Sequence, residues 1–177
     1  PGATHAPHHV PAPWSDRYKG RFDDGWDALR ERMFARQKEL GVVPPDAELT
    51  ARPAEIPAWD AMPDELKPIL ARQMEVYAGF LEHVDHHVGR LIDAIEDLGV
   101  LDDTLVFYIV GDNGASGEGT LNGSFNEMFL FNGAAALETP EFLASHIDDF
   151  GGPAAYNHFA VGWAHAMDTP YQWTKQV

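Results

Sequence analysis

Leu105-Val106-Phe107-Tyr108-Ile109-Val110 runs directly into Gly111-Asp112-Asn113-Gly114. Six apolar residues, most of them β-branched or aromatic, lie between the acidic pair Asp102-Asp103 and this set of turn formers. The pattern predicts a short strand buried on both faces. Upstream, apolar residues including Ile69, Met74, Tyr77, Val84, Val88 and Ile95 recur at helical spacing. This predicts a long helix that starts near Pro63 or Asp64 and stops at Gly99. A long helix feeding a buried strand is half of a layered α/β unit. The expected fold class is therefore α/β, a mostly parallel sheet flanked by helices. It is expected to be incomplete in this chain, because only one strand is readable and a parallel sheet needs partners.

Working outward, Asp23 and Asp24 precede a second helical pattern in which Trp26, Leu29, Met33 and Leu40 share a face before Gly41. Between the two helices, Pro44, Pro45, Pro53 and Pro57 predict an irregular surface connection. The opening Pro1 to Pro13 reads as an extended loop, since proline removes backbone donors. Downstream of the strand, 115–132 has the Gly, Ser and Asn content of a loop. Thr139-Pro140-Glu141 then looks like an N-cap and first turn of a helix reaching about Asp149. The remainder, 151–177, has little period and is expected to be irregular with a short helix.

Composition narrows the function. The 177 residues carry 12 Lys plus Arg against 28 Asp plus Glu, a net charge of −16. Such a surface disfavours nucleic acid and anionic membranes, whose phosphates are bound by clustered cations. No apolar run approaches the roughly 20 residues that span a bilayer. With no cysteine, disulfides, thiolate metal sites and a Cys nucleophile within these residues are excluded. The chain begins at Pro1 and ends in Trp173-Thr-Lys-Gln-Val177 without a terminator, so a piece of a longer protein is expected.

Four groups of residues are candidates for chemistry. Asp112 and Asn113 follow the carboxyl end of the predicted strand, where α/β folds bind ligands, and their oxygens suit a hard divalent cation. The same two residues with Gly114 also make an ordinary turn. His8, in Ala6-Pro7-His8-His9, would place an imidazole in a stiff loop where it can serve a leaving oxygen, or would simply be solvated. Lys175 can anchor an oxyanion as a point charge. His83, His86 and His87 are spaced for a zinc site completed from elsewhere, but Val84 and Val88 define the buried stripe, so these imidazoles are expected at its solvent edge. No phosphate-cradling Gly-x-x-x-x-Gly-Lys and no Gly-x-Ser-x-Gly nucleophile turn is present.

Taken in order, Ala3-Thr-His-Ala-Pro-His8-His-Val-Pro11, Tyr18-Lys-Gly-Arg-Phe-Asp-Asp-Gly-Trp-Asp27, Gln73-Met-Glu-Val-Tyr-Ala78, Asp85-His-His-Val-Gly-Arg90, Asp112-Asn-Gly-Ala-Ser-Gly-Glu-Gly119 and Asn122-Gly-Ser-Phe-Asn-Glu127 resemble the middle of a bacterial arylsulfatase. That family is part of the alkaline phosphatase superfamily. On this resemblance, residues 1–177 are the central part of a catalytic domain that hydrolyses small-molecule sulfate monoesters. The resemblance implies a calcium site with Asp112 and Asn113 as two ligands, and a formylglycine nucleophile outside this chain. It also implies His8 at the leaving-group oxygen, with His5 and His9 as neighbouring alternatives, and Lys175 on the sulfate or bridging oxygen. The family's Cys-x-Pro-x-Arg or Ser-x-Pro-x-Arg motif and its upstream acidic metal ligands are missing, so the chain alone is expected not to turn over.

Two other readings stay open. One is a phosphonate or phosphate ester hydrolase of the same superfamily, and the other is a noncatalytic, metal-stabilised binding domain. A Cys-x-Pro-x-Arg upstream would favour the sulfatase, Thr in place of Cys the phosphatase, and a true start at Pro1 the nonenzyme. Leaving-group specificity, oligomeric state and compartment, whether secreted, periplasmic or cytoplasmic, are not encoded in any readable segment.

Overall fold

The computed structural model describes residues 5–109 and 114–175. Six α-helices occur among them: α1 (Ala12–Ser15), α2 (Gly25–Glu39), α3 (Lys67–Asp97), α4 (Met128–Phe131), α5 (Pro140–Ser145) and α6 (Val161–Met167). None is long and apolar enough to cross a membrane.

The two principal helices arise where the sequence pattern places them. On α3 the first half is the centre of the molecule, with Ile69, Leu70, Val76 and Phe80 buried. Pro68 lies in the first turn of α3, where a missing N–H costs no intrahelical bond. Gly79 marks a close crossing with α1, since a Cβ there would lie 2.6 Å from the Ser15 Cα. Between α2 and α6, Trp26, Trp59 and Trp163 pack with ring centroids 4.9–5.6 Å apart. The indoles are satisfied as well as buried: Trp26 donates to the Pro57 carbonyl and Trp163 to the Leu70 carbonyl. At α5, the Thr139 hydroxyl accepts from the Phe142 N–H at 3.2 Å, the expected N-cap.

The expected α/β class does not hold. Residues 105–109 form no ladder, and Phe107 and Ile109 are 75 % and 86 % exposed. Among the described residues the only β pairings are isolated bridges, Ser124 with His158 and Asn126 with Tyr156. The physical reason is that a strand buried on both faces must hydrogen-bond to neighbours on each side. The described part of this chain offers no such neighbour, and Val110 lies outside it. The second half of α3 tells the same story. Its apolar positions Leu91 and Leu98 are exposed, so the stripe continues past the core it was expected to cover. The described residues are a helical assembly joined by irregular segments.

α2 is fastened to the C-terminal segment by one buried cation. The Arg30 guanidinium donates to the Thr50 carbonyl and hydroxyl, both at 2.6 Å, and to the Tyr171 carbonyl at 3.1 Å. Gln37 adds a bond to the Thr169 carbonyl at 2.8 Å. These contacts fix the 169–171 turn, and that turn leads to Lys175.

Candidate functional site

His5, His8 and His9 sit on one loop with three different fates. His9 is anchored: its Nε2 donates to the Ala155 carbonyl at 2.6 Å. His8 is 1 % exposed and surrounded by Tyr77, Phe80, His158 and Phe159, with ring centroids 4.9–5.7 Å away. Its Nδ1 is buried without a hydrogen-bond partner. Burial, then the neighbouring imidazoles of His158, His5 and His9, hold His8 well below the ordinary histidine range, so it is neutral. His5 retains 45 % of its side-chain exposure and places Nε2 2.9 Å from Glu118 Oε2.

Glu118 is where the site converges. The Ser116 hydroxyl donates to the same Oε2 at 2.8 Å, and Lys175 Nζ lies 4.0 Å from it. Partial burial raises the Glu118 pKa, but the Ser116 hydrogen bond and the charges of Lys175 and His5 outweigh it and hold the carboxyl below its usual range. The backbone fixes Lys175 beside the predicted turn: its N–H donates to the Ala115 carbonyl at 3.0 Å, and the Ala115 N–H donates to Asp168 Oδ1 at 2.8 Å. A Cβ at Gly114, whose φ is +96°, would meet that same oxygen at 2.9 Å, so only glycine fits there without strain. Lys175 and the stretch that leaves Asp112-Asn113-Gly114 are thus neighbours. Asp112 and Asn113 themselves lie outside the described residues.

One group of described residues has metal-ligand geometry. Ligand atoms of His5, Glu118 and Glu127 all lie within 4.8 Å of one another. Glu127 is 2 % exposed, its Oε2 has no partner, and burial raises its pKa. Yet Glu118 already faces the Lys175 charge, which a cation bound by these three residues would have to displace. None of Ser116, Glu118, Glu127 or Asp168 stands out from composition or spacing. The available signal was that three of them sit inside the two Gly-rich blocks that carry the family resemblance.

Three buried imidazoles make a stability prediction. Burial lowers the pKa of His8 and of His158, and it lowers that of His165, with help from Arg30, from 6.5 to about 4. The folded chain keeps them neutral while the unfolded chain protonates near 6.5, so unfolding takes up protons. Stability is therefore full above pH 6.5 and falls as pH drops toward about 4. Melting temperatures across that window should decline, and His165→Gln should flatten the decline. An equal slope in both proteins would contradict the assignment.

The sulfatase family pattern matches residues 1–166. A protein described as an uncharacterized sulfatase from Schizosaccharomyces pombe is 29 % identical over 181 residues, covering 98 % of this chain and 30 % of its own length. An arylsulfatase from Klebsiella aerogenes is 27 % identical over 172 residues, covering 96 % of this chain and 34 % of its own. The chain thus spans about a third of the length of these curated relatives. With a match over 166 of its 177 residues, the chain belongs to the sulfatase family.

Proposed function

We propose that this chain supplies the leaving-group and oxyanion side of an arylsulfatase-type sulfuric ester hydrolase, as the central part of a longer catalytic domain. The observation that carries this reading is that His5 and Lys175, from opposite ends of the chain, approach one oxygen of Glu118 at 2.9 and 4.0 Å. Two cationic or hydrogen-donating groups that can meet on one carboxylate oxygen can also meet on a sulfate ester. Lys175 would neutralise charge on the sulfuryl group as it transfers. An imidazole would donate a proton or hydrogen bond to the departing oxygen.

Among the three loop histidines, the assignment goes to His5. The sequence reading put His8 in this role; its ring is buried among Tyr77, Phe80 and Phe159, whereas His5 is accessible and faces the charged cluster, which favours His5. We assign His8 to the loop's internal packing and His9 to its anchorage on Ala155.

Asp112 and Asn113 would hold the divalent cation, calcium on the family resemblance. A carboxylate and an amide oxygen are hard donors suited to it, and the glycine that follows them is pinned against Asp168. Bound there, the ion would offset negative charge on the sulfuryl oxygens. The nucleophile, a formylglycine by the same resemblance, would lie outside these residues, which contain neither Cys-x-Pro-x-Arg nor Ser-x-Pro-x-Arg.

Asp112→Ala should weaken calcium binding by the full-length protein more than Asn113→Ala does, because losing an anionic ligand leaves more of the ion's charge uncompensated. Calorimetric titration checks it, and unimpaired affinity in both variants would remove the metal assignment. The reaction itself is tested by offering the full-length protein a chromogenic aryl sulfate and the matching aryl phosphate. Preferential turnover of the sulfate is expected. Preference for the phosphate would move the site to phosphate ester chemistry, and inertness to both would mean a binding domain.

A further inference from the structure

Away from this site, the solvent face of α3 carries a second arrangement of nitrogen donors. His83 and His87 are one turn apart, with Nε2 of one 3.0 Å from Nε2 of the other. His83 rests edge-on against the Trp14 ring at 5.2 Å, and His86 tilts against the same ring at 5.1 Å. Arg17 covers Trp14 at 4.2 Å from the centroid, which orders the aromatic support. On the other side, the Arg90 guanidinium lies 3.0 Å from His87 Nδ1. The carboxylates nearby are engaged: Glu82 pairs with Arg17 and Asp85 accepts from the Tyr108 hydroxyl.

The spacing of the two nitrogens matches a chelate bite. With metal–nitrogen bonds of about 2.0–2.1 Å, two cis ligands lie about 2.9 Å apart in a tetragonal site and about 3.3 Å apart in a tetrahedral one. We propose that His83 and His87 form a two-nitrogen site for a borderline divalent transition-metal ion, copper(II) ahead of zinc, with Arg90 holding a tautomer that opposes it. Calcium, which takes oxygen ligands, does not compete.

The opposition follows from donor bookkeeping. Arg is always a donor, so His87 Nδ1 accepts and the His87 proton sits on Nε2, which donates to His83 Nε2. His83 then carries its own proton on Nδ1, and its Nε2 lone pair, which accepts that bond, turns to a metal once the His87 proton has left. His87 must pass its Nε2 proton through solvent to Nδ1 before Nε2 can ligate, and this breaks the Arg90 contact. Both rings stay neutral, so no proton is released.

The test is a titration of this chain with copper(II) and, separately, with zinc(II), read by calorimetry and by quenching of tryptophan fluorescence, with Trp14→Phe identifying the share that comes from Trp14. His83→Ala and His87→Ala should each weaken copper binding by roughly tenfold or more, since the second nitrogen then no longer binds intramolecularly. Arg90→Ala should tighten it by roughly threefold or more. His5→Ala should leave it unchanged, which separates this site from the His5-Glu118-Glu127 group. Far-ultraviolet dichroism verifies that the exposed substitutions keep the helix. Copper affinity unchanged in both histidine variants, or lost only in His5→Ala, would overturn the site. An Arg90→Ala affinity no tighter than that of the parent would overturn the role of the guanidinium.

Discussion

Lys175→Ala should lower kcat/KM of the full-length sulfatase by about 10²–10³, the usual cost of removing one preorganised donor from a developing oxyanion. The side chain is only 22 % exposed, its backbone N–H is tied to Ala115, and the preceding turn is fastened to α2 through Arg30. The backbone that carries the ammonium is therefore tied down on both sides of the turn. Inhibition by free sulfate should weaken in parallel, because the same charge serves ground state and transition state. Lys175→Arg should restore only part of either loss, since a planar fork does not reproduce a compact point charge at one oxygen. Steady-state kinetics with sulfate as inhibitor checks both variants. Parental rate and parental sulfate affinity in Lys175→Ala would make this residue part of the surface.

His5→Ala should cost more on some substrates than on others. A high-pKa phenol or an alkyl alcohol leaves with charge on its oxygen and needs a donor, so kcat/KM should fall by about 10²–10⁴. A nitrophenol carries that charge unaided and should lose far less. His8→Ala should behave differently. Emptying the space among Tyr77, Phe80 and Phe159 should lower the melting temperature by leaving a cavity, and whatever kinetic effect follows should not depend on the leaving group. Glu118 adds a further expectation: as the carboxylate that faces His5 Nε2, its replacement by Gln should disturb the His5-dependent substrates first.

Periodicity carried the sequence reading a long way where structure is local. α2, α3 and the Thr139 cap depend on residues within a few turns of one another, and all three appear where spacing places them. The strand expected at 105–110 forms no pairing over its described residues, 105–109, because pairing is not local. Its apolar run shows what such a segment would bury, and nothing in the run shows whether a partner is supplied. Arg30 is the converse case. Its spacing from Trp26 and Met33 puts a charge beside the apolar stripe of α2, and it is buried because Thr50, Pro170 and Tyr171 bring oxygens to it from distant segments. The candidate imidazole was ambiguous in the sequence. Three histidines within five residues are equivalent as letters, and only the aromatic enclosure of His8 and the exposure of His5 separate them. Ser116 and Glu118 lay within a quoted motif, but their convergence on His5 and Lys175 is a tertiary fact.

The most direct test of the account is a leaving-group series. It compares kcat/KM for aryl sulfates of increasing phenol pKa in the full-length parent, His5→Ala and His8→Ala. The account predicts a steeper dependence on leaving-group pKa for His5→Ala, with the largest deficit at the highest pKa. For His8→Ala it predicts a line parallel to the parent. A parallel line for His5→Ala together with a steeper one for His8→Ala would contradict it and return the leaving-group role to the buried imidazole.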